Sequence, residues 1–140
     1  MGKVAVVFWS GTGNTEAMAD AVVAGAKEAG ADVSLFTAAE FSADKMDEFD
    51  AVAFGCPSMG AEQLEEGEFE PMFVACEPKL QGKKIALFGS YGWGDGEWMR
   101  NWEETCQNDG AELAYESVIC NEEPDADAQA ACMALGKALA

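Results

Sequence analysis

The sequence predicts an α/β domain: a doubly wound, five-stranded parallel sheet covered by helices on both faces, a three-layer sandwich. Three observations predict it. Short apolar runs alternate with helical patterns along the chain. The first, third and fourth runs are apolar almost throughout, as strands buried on both faces are. Two helical segments end in matching phrases, Gly30-Ala31-Asp32-Val33 and Gly110-Ala111-Glu112-Leu113, where a glycine suited to a left-handed C-cap precedes the next strand. The length of 140 residues, 49% of them hydrophobic, suits one domain over residues 1–140 with a single core.

The first strand spans about Lys3–Trp9. It feeds the loop Ser10–Thr15 and a helix over Asn14–Ala29, whose Met18, Val22 and Ala26 recur at four-residue spacing as an inward stripe. The second strand, Asp32–Thr37, alternates apolar and polar residues and suits a sheet edge. A third strand covers Ala51–Cys56 and a second helix Glu68–Cys76. The fourth strand, Lys84–Ser90, leads to a helix over Glu97–Asp109. Trp98 and Trp102 lie one turn apart on that helix and read as packing residues. A fifth strand over Glu112–Cys120 and a helix over Ala126–Leu139 complete the chain. Crossovers in such sheets are right-handed, and ligands sit beyond the carboxyl ends of the strands where strand order reverses. Three loops leave those ends, 10–15, 57–63 and 91–97, and are expected to converge.

Charge and composition narrow the function. Eight Lys and Arg stand against 26 Asp and Glu, a net charge of −18. Such a chain repels nucleic acid and anionic membrane and is steered toward basic protein surfaces. No apolar run nears the ~20 residues that span a bilayer. The start, Met1-Gly2-Lys3, lacks the pattern of a secretory signal, and Ala5 or Val6 stands where a myristoylation signal wants Ser or Thr. The five cysteines, Cys56, Cys76, Cys106, Cys120 and Cys132, form no CxxC pair and read as reduced thiols of a cytoplasmic protein. There is no histidine, which excludes Ser-His-Asp and Cys-His catalysis.

The first loop, Ser10-Gly11-Thr12-Gly13-Asn14-Thr15, joins a buried strand to a helix N-terminus, where unpaired N–H groups and a partial positive charge favour a phosphate. It lacks the lysine of a P-loop, and Glu16 stands where a dinucleotide fingerprint wants its last glycine. A terminal monophosphate fits what remains. Nor is the chain a phosphorylatable receiver: Trp9-Ser10 and Cys56-Pro57 stand where that chemistry wants acidic residues. In the third loop, Tyr91-Gly92-Trp93-Gly94-Asp95-Gly96, Trp93 between glycines suits stacking on a flat heterocycle. In the middle loop, Pro57-Ser58-Met59-Gly60-Ala61-Glu62-Gln63, Met59 suits packing on a ring, Gly60 can flip its peptide, and Glu62 can accept a bond from a ring N–H.

The phrases Trp9–Met18, Cys56–Glu62 and Phe88–Trp98 together resemble the flavodoxins, and the likeness covers the whole chain. The uninterrupted fifth strand is similar to the short-chain flavodoxins of anaerobic bacteria. The resemblance implies strand order 2-1-3-4-5 and non-covalently bound FMN serving as a one-electron carrier. It implies that Ser10, Gly11, Thr12, Gly13, Asn14 and Thr15 hold the FMN phosphate. Met59 and Trp93 would lie on the two faces of the ring, Glu62 would bond N3–H, and the Gly60 carbonyl would turn toward N5 on reduction. Ser58, Gly89, Ser90, Tyr91 and Gly92 would contact ribityl, phosphate or pyrimidine edge, with Asn121 near the ribityl group. Ala61 stands where relatives often carry a polar side chain.

Two physical effects would set the potentials. A carbonyl at N5 favours the semiquinone by about 1 kcal/mol per net hydrogen bond, and about 1.4 kcal/mol corresponds to roughly 60 mV. The anionic hydroquinone would sit among Glu62, Glu65, Glu66, Glu68, Glu70, Asp95 and Glu97. Each unit charge ~10 Å away at an effective dielectric of ~20 costs about 1.7 kcal/mol before salt screening. The expectation is a low-potential monomeric carrier cycling between semiquinone and hydroquinone in place of ferredoxin, with basic-surfaced partners such as ferredoxin-type oxidoreductases and hydrogenase. The alternative is an FMN-dependent NAD(P)H quinone reductase of related fold, which the absence of a second nucleotide fingerprint disfavours.

Overall fold

The computed structural model describes residues 2–59, 63–92, 94 and 96–140. Strand β1 is Lys3–Phe8, helix α1 Asn14–Glu28, β2 Asp32–Thr37, β3 Ala51–Gly55, α2 Phe69–Cys76, β4 Lys84–Tyr91, α3 Glu97–Asn108, β5 Glu112–Leu113, β6 Val118–Asn121 and α4 Ala126–Leu139. The sheet order is β2-β1-β3-β4-β5, with β6 also on β4, and the strand pairings are parallel. That is the expected topology, with β1 and β3 flanking the point where strand order reverses.

The fifth strand differs from expectation in one respect: it runs in two pieces. Ile85 pairs with Leu113 and Phe88 with Val118, so β4 advances three residues while its neighbour advances five. Two extra residues loop out as a bulge around Tyr115. An even insertion leaves the in-and-out phase of a strand unchanged, so the sequence pattern ran through it as one strand. Ala114 keeps the bulge tied down, its N–H donating to the Ile85 carbonyl at 2.8 Å.

Alternation places two cores on the two faces of the sheet. Val4, Val6, Phe8, Ala53 and Phe88 face α1 and α4, where the stripe Met18, Val22 and Ala26 is fully buried as its spacing predicts. Ala5, Val7, Val52, Phe54 and Leu87 face α2 and α3, where Phe69, Phe73, Trp98 and Trp102 pack. Phe69 and Phe73 each meet Trp102 edge-on at 5.4 and 5.6 Å, a favoured aromatic geometry. Trp98 and Trp102 are therefore core residues, as read from their spacing.

Helices α1 and α4 touch backbone to backbone. A Cβ on Gly25 would stand 2.0 Å from the Met133 carbonyl oxygen, and one on Gly136 would stand 2.1 Å from that of Val22. Residues of α1 and α4 thus fix the N-terminal helix against the sheet without a bulky spacer. Glu65 anchors the start of α2. Its carboxylate accepts backbone N–H bonds from Gly67 at 2.7 Å, Glu68 at 2.7 Å and Phe69 at 2.8 Å. Burial alone would push this carboxyl up, but the donors Phe69, Glu68 and Gly67 hold it below the usual carboxylate range.

Candidate functional site

The carboxyl ends of β1, β3, β4 and β6 are laced together. Trp9 donates its N–H to Gly55 at 3.0 Å, Ser58 to Ser90 at 2.9 Å, and Glu122 to Tyr91 at 2.7 Å. Above them opens a cavity of about 510 Å³ whose walls come from all three predicted loops and from the residues after β6. That volume suits a cofactor-sized ligand, for which ~300–1,000 Å³ is typical.

Eight of the residues expected at the site line this cavity: Gly11, Thr12, Asn14, Ser58, Met59, Ser90, Tyr91 and Gly92. Ser10 and Gly13 line an adjoining cavity of about 410 Å³, with Trp9 and Gly11 shared between the two. Their loop closes on itself, the Gly13 N–H donating to Ser10 Oγ at 3.0 Å. Gly13 takes a φ of 95°, a left-handed conformation that a glycine adopts without strain, and no side chain caps the helix it begins. The first-turn N–H groups of α1 are thus left for an anion, and Thr12 and Asn14 bring polar side chains to the cavity beside them.

Thr15 lies beneath this loop rather than in the cavity wall. It is 1% exposed, and its Oγ1 shares a 3.0 Å hydrogen bond with the Oγ of Ser90, which is 5% exposed. The Ser90 N–H also donates to Thr15 Oγ1 at 3.4 Å. The start of α1 is thereby pinned to the end of β4. Gly89 does not line the cavity either. A Cβ there would stand 2.2 Å from the Cys56 carbonyl oxygen, which itself accepts from Trp98 Nε1 at 3.2 Å. Asn121 lines a neighbouring cavity that shares Tyr91 with the first, and its Nδ2 donates to the Tyr91 carbonyl at 3.3 Å. Gly60, Ala61, Glu62 and Trp93 lie outside the described residues, as does Asp95. Met59 and Gln63, which flank the first three in sequence, exchange reciprocal backbone bonds of 2.8 and 3.0 Å.

Sequence reasoning missed Trp9, Pro57, Glu122 and Glu123, all of which line the cavity. Trp9 ended an apolar run and was read as strand; its indole N–H instead donates to Glu68 Oε1 at 3.2 Å. Glu122 follows the carboxyl end of β6 and holds a left-handed φ of 59°, unusual for a residue with a side chain. Position after a strand's carboxyl end was the signal that could have found it.

Among the described residues the cavity wall carries hydroxyls, carboxylates and apolar side chains. No Lys or Arg among the described residues lines the cavity, while Glu122 and Glu123 do. All five cysteines are free. Burial pushes the nearby Cys56 thiol up to about 12, so it stays protonated and unreactive at neutral pH. Among the described residues no cluster of three or more metal-ligating side chains occurs. No helix among the described residues is long and apolar enough to cross a membrane. The hydroxyls and helix end that can hold a phosphate, beside apolar Trp9 and Met59, fit FMN.

Comparison with known proteins agrees. The family model for flavodoxin matches residues 6–136. The flavodoxin of Megasphaera elsdenii is 46% identical over 137 residues, 98% of each chain. That of Clostridium beijerinckii is 44% identical over 135 residues, 96% of this chain and 97% of its own. The solution structure of two-electron reduced Megasphaera elsdenii flavodoxin superposes with a TM-score of 0.90, covering 97% of both chains. An archaeal flavodoxin, 28% identical, superposes at 0.81 over 98% of this chain and 95% of its own. With a family match over most of its length and relatives this similar, the chain belongs to the flavodoxins, FMN-binding electron-transfer proteins rather than enzymes.

Proposed function

We propose that this chain is a low-potential, monomeric, cytoplasmic one-electron carrier that cycles mainly between the semiquinone and the hydroquinone of FMN and serves basic-surfaced redox partners in place of ferredoxin. The observation that supports this reading is the charge of the cavity wall, which among the described residues carries two carboxylates, Glu122 and Glu123, and no cation. FMN, when bound, supplies the one-electron chemistry, and the protein tunes it.

The chain's residues divide that work. The N–H groups of α1, with Ser10, Thr12 and Asn14, hold the phosphate. The bond between Thr15 and Ser90 fixes the loop that carries them. Trp9 and Met59 supply apolar wall, and Glu62 and Trp93 contribute the contacts that the family resemblance implies. Glu122 and Glu123 disfavour added negative charge in the cavity; each unit charge ~10 Å away at a dielectric of ~20 amounts to about 1.7 kcal/mol before screening. Several such charges lower the second one-electron potential by an order of ~100 mV. A net charge of −18 steers the carrier toward partners with basic faces, among them ferredoxin-type oxidoreductases and hydrogenase.

An anaerobic reductive titration of the FMN-loaded protein tests this. A yellow protein that turns blue before bleaching, with its second potential well below that of free FMN, is the expected result. Bleaching in one two-electron step, or direct oxidation of NADPH by the protein, overturns it.

A further inference from the structure

A groove distinct from the cofactor cavity runs between α2 and α3. It encloses about 260 Å³ and is lined by Leu64, Phe73, Val74 and Trp102, with the carboxylates of Glu70 and Glu77 among them and, among the described residues, no Lys or Arg. Three features set it apart from ordinary surface. Val74 is 54% exposed, although it is a large apolar residue. Trp102 is 3% exposed, yet its indole N–H has no acceptor among the described residues. Glu77 also faces a second acid: burial first, and the neighbouring Asp109 next, push its carboxyl up to about 7.

We propose that this groove is a docking socket for an extended segment of a redox partner, seating an apolar side chain against Leu64 and Val74 and an arginine or lysine beside Glu70 and Glu77. The proposal rests on the carrier reading and assigns part of the partner's footprint. The location suits electron transfer. Gln63 lines the groove and is bonded backbone to backbone with Met59, which lines the cofactor cavity, so one backbone pair separates the occupant from that cavity. A second copy of the chain is a poor occupant, because two bodies of charge −18 repel.

The test is a titration of the 15N-labelled, FMN-loaded protein with the peptide acetyl-Leu-Arg-Leu-amide, followed by the tryptophan indole N–H signals. The Trp102 signal is assigned with Trp102→Phe. Acetyl-Leu-Glu-Leu-amide is the control. Saturable movement of the Trp102 signal by the arginine peptide alone is expected. Affinity should fall about five-fold when Glu70→Gln and Glu77→Gln are combined, in line with two partly exposed ion pairs. Val74→Arg, an exposed substitution that leaves the fold intact by circular dichroism, should abolish the response. An unmoved Trp102 signal, equal movement by both peptides, or self-association of the protein at the groove overturns the socket. FMN uptake separates the two readings. Normal uptake with a silent Trp102 removes the socket and leaves the carrier, whereas failure to take up FMN removes both.

Discussion

Replacing Thr15 with valine keeps the side-chain shape and deletes one hydroxyl. In the wild-type chain that hydroxyl meets Ser90 Oγ at 3.0 Å and the Ser90 N–H at 3.4 Å, with both residues almost fully buried. Thr15→Val therefore strands polar groups of Ser90 away from water, at about 1–3 kcal/mol for a buried orphan. A loss near ~2 kcal/mol with a urea slope of ~1.5 kcal/mol/M lowers the midpoint by ~1.3 M. Ser90→Ala should cost ~1–2 kcal/mol by the same route. The double variant leaves neither hydroxyl stranded, so it should lose little more than the worse single one, a coupling of about 1 kcal/mol or more. The assay is urea unfolding of the apoprotein, because bound FMN would mask the change by mass action. Additive losses within ~0.3 kcal/mol would refute the reasoning that these hydroxyls work as a pair. The same variants report on the site. Freeing the start of α1 from β4 should weaken FMN binding about ten-fold, measured by quenching of flavin fluorescence, for a coupling of ~1.4 kcal/mol.

Gly136→Ala should destabilise by about 1–2 kcal/mol, since the added methyl meets the Val22 carbonyl at 2.1 Å and overpacking outweighs the usual helix gain. A raised thermal midpoint would contradict that close contact between α1 and α4. For Glu77, burial first and Asp109 second raise the carboxyl from 4.5 to about 7. A folded value above the unfolded one means that its stabilising contribution is full below about pH 4.5 and lost as pH rises through about 7. Wild-type stability should therefore fall relative to Glu77→Gln between those limits, and parallel urea-midpoint curves from pH 5 to 8 (about the range in which such shifts act) would exclude the pairing. Glu65→Ala should cost about 1–2 kcal/mol through loss of the cap on α2, read as a lower urea midpoint with helix content reduced.

Much of the fold was legible because burial imposes a period. Met18, Val22 and Ala26 announced the inner face of α1, and the unbroken apolar runs of β1, β3 and β4 announced strands covered on both sides. The bulge in the last strand was not legible, because two extra residues preserve alternation. At the site, the hydroxyl-rich loop and the convergence of three loops could be read directly. The division of labour within the loop could not: Thr12 and Asn14 reach the cavity while Thr15 turns beneath it to Ser90. Adjacent hydroxyls look alike in a sequence, and only the turn of α1 sorts them. Trp9, Glu122 and Glu123 escaped notice because each belongs to the end of a strand pattern and reaches the cavity only once the strands are laid side by side.

The acidic residues also sort themselves once their partners are known, and this decides which of them tune the cofactor. Read as a run, Glu65, Glu66, Glu68 and Glu70 form one negative field. Glu65, however, is engaged by three backbone N–H groups, and much of its charge is answered by the positive end of α2. Asp125 plays the same local part for α4, accepting from the Ala128 N–H at 2.8 Å. Neutralising either would loosen a helix and alter the site indirectly. Glu122 and Glu123 stand in the cavity wall, and Glu68 reaches it through the Trp9 indole. Coulomb energy falls with distance and salt screens exposed charges beyond ~10 Å, so among the described acids these three should outweigh the rest in setting the second potential. The distant acids act instead on encounter, where the summed charge guides a basic partner over a longer range. Raising ionic strength should accordingly slow partner reduction far more than it shifts the potential. An equal sensitivity of both would mean that one undivided field does both jobs.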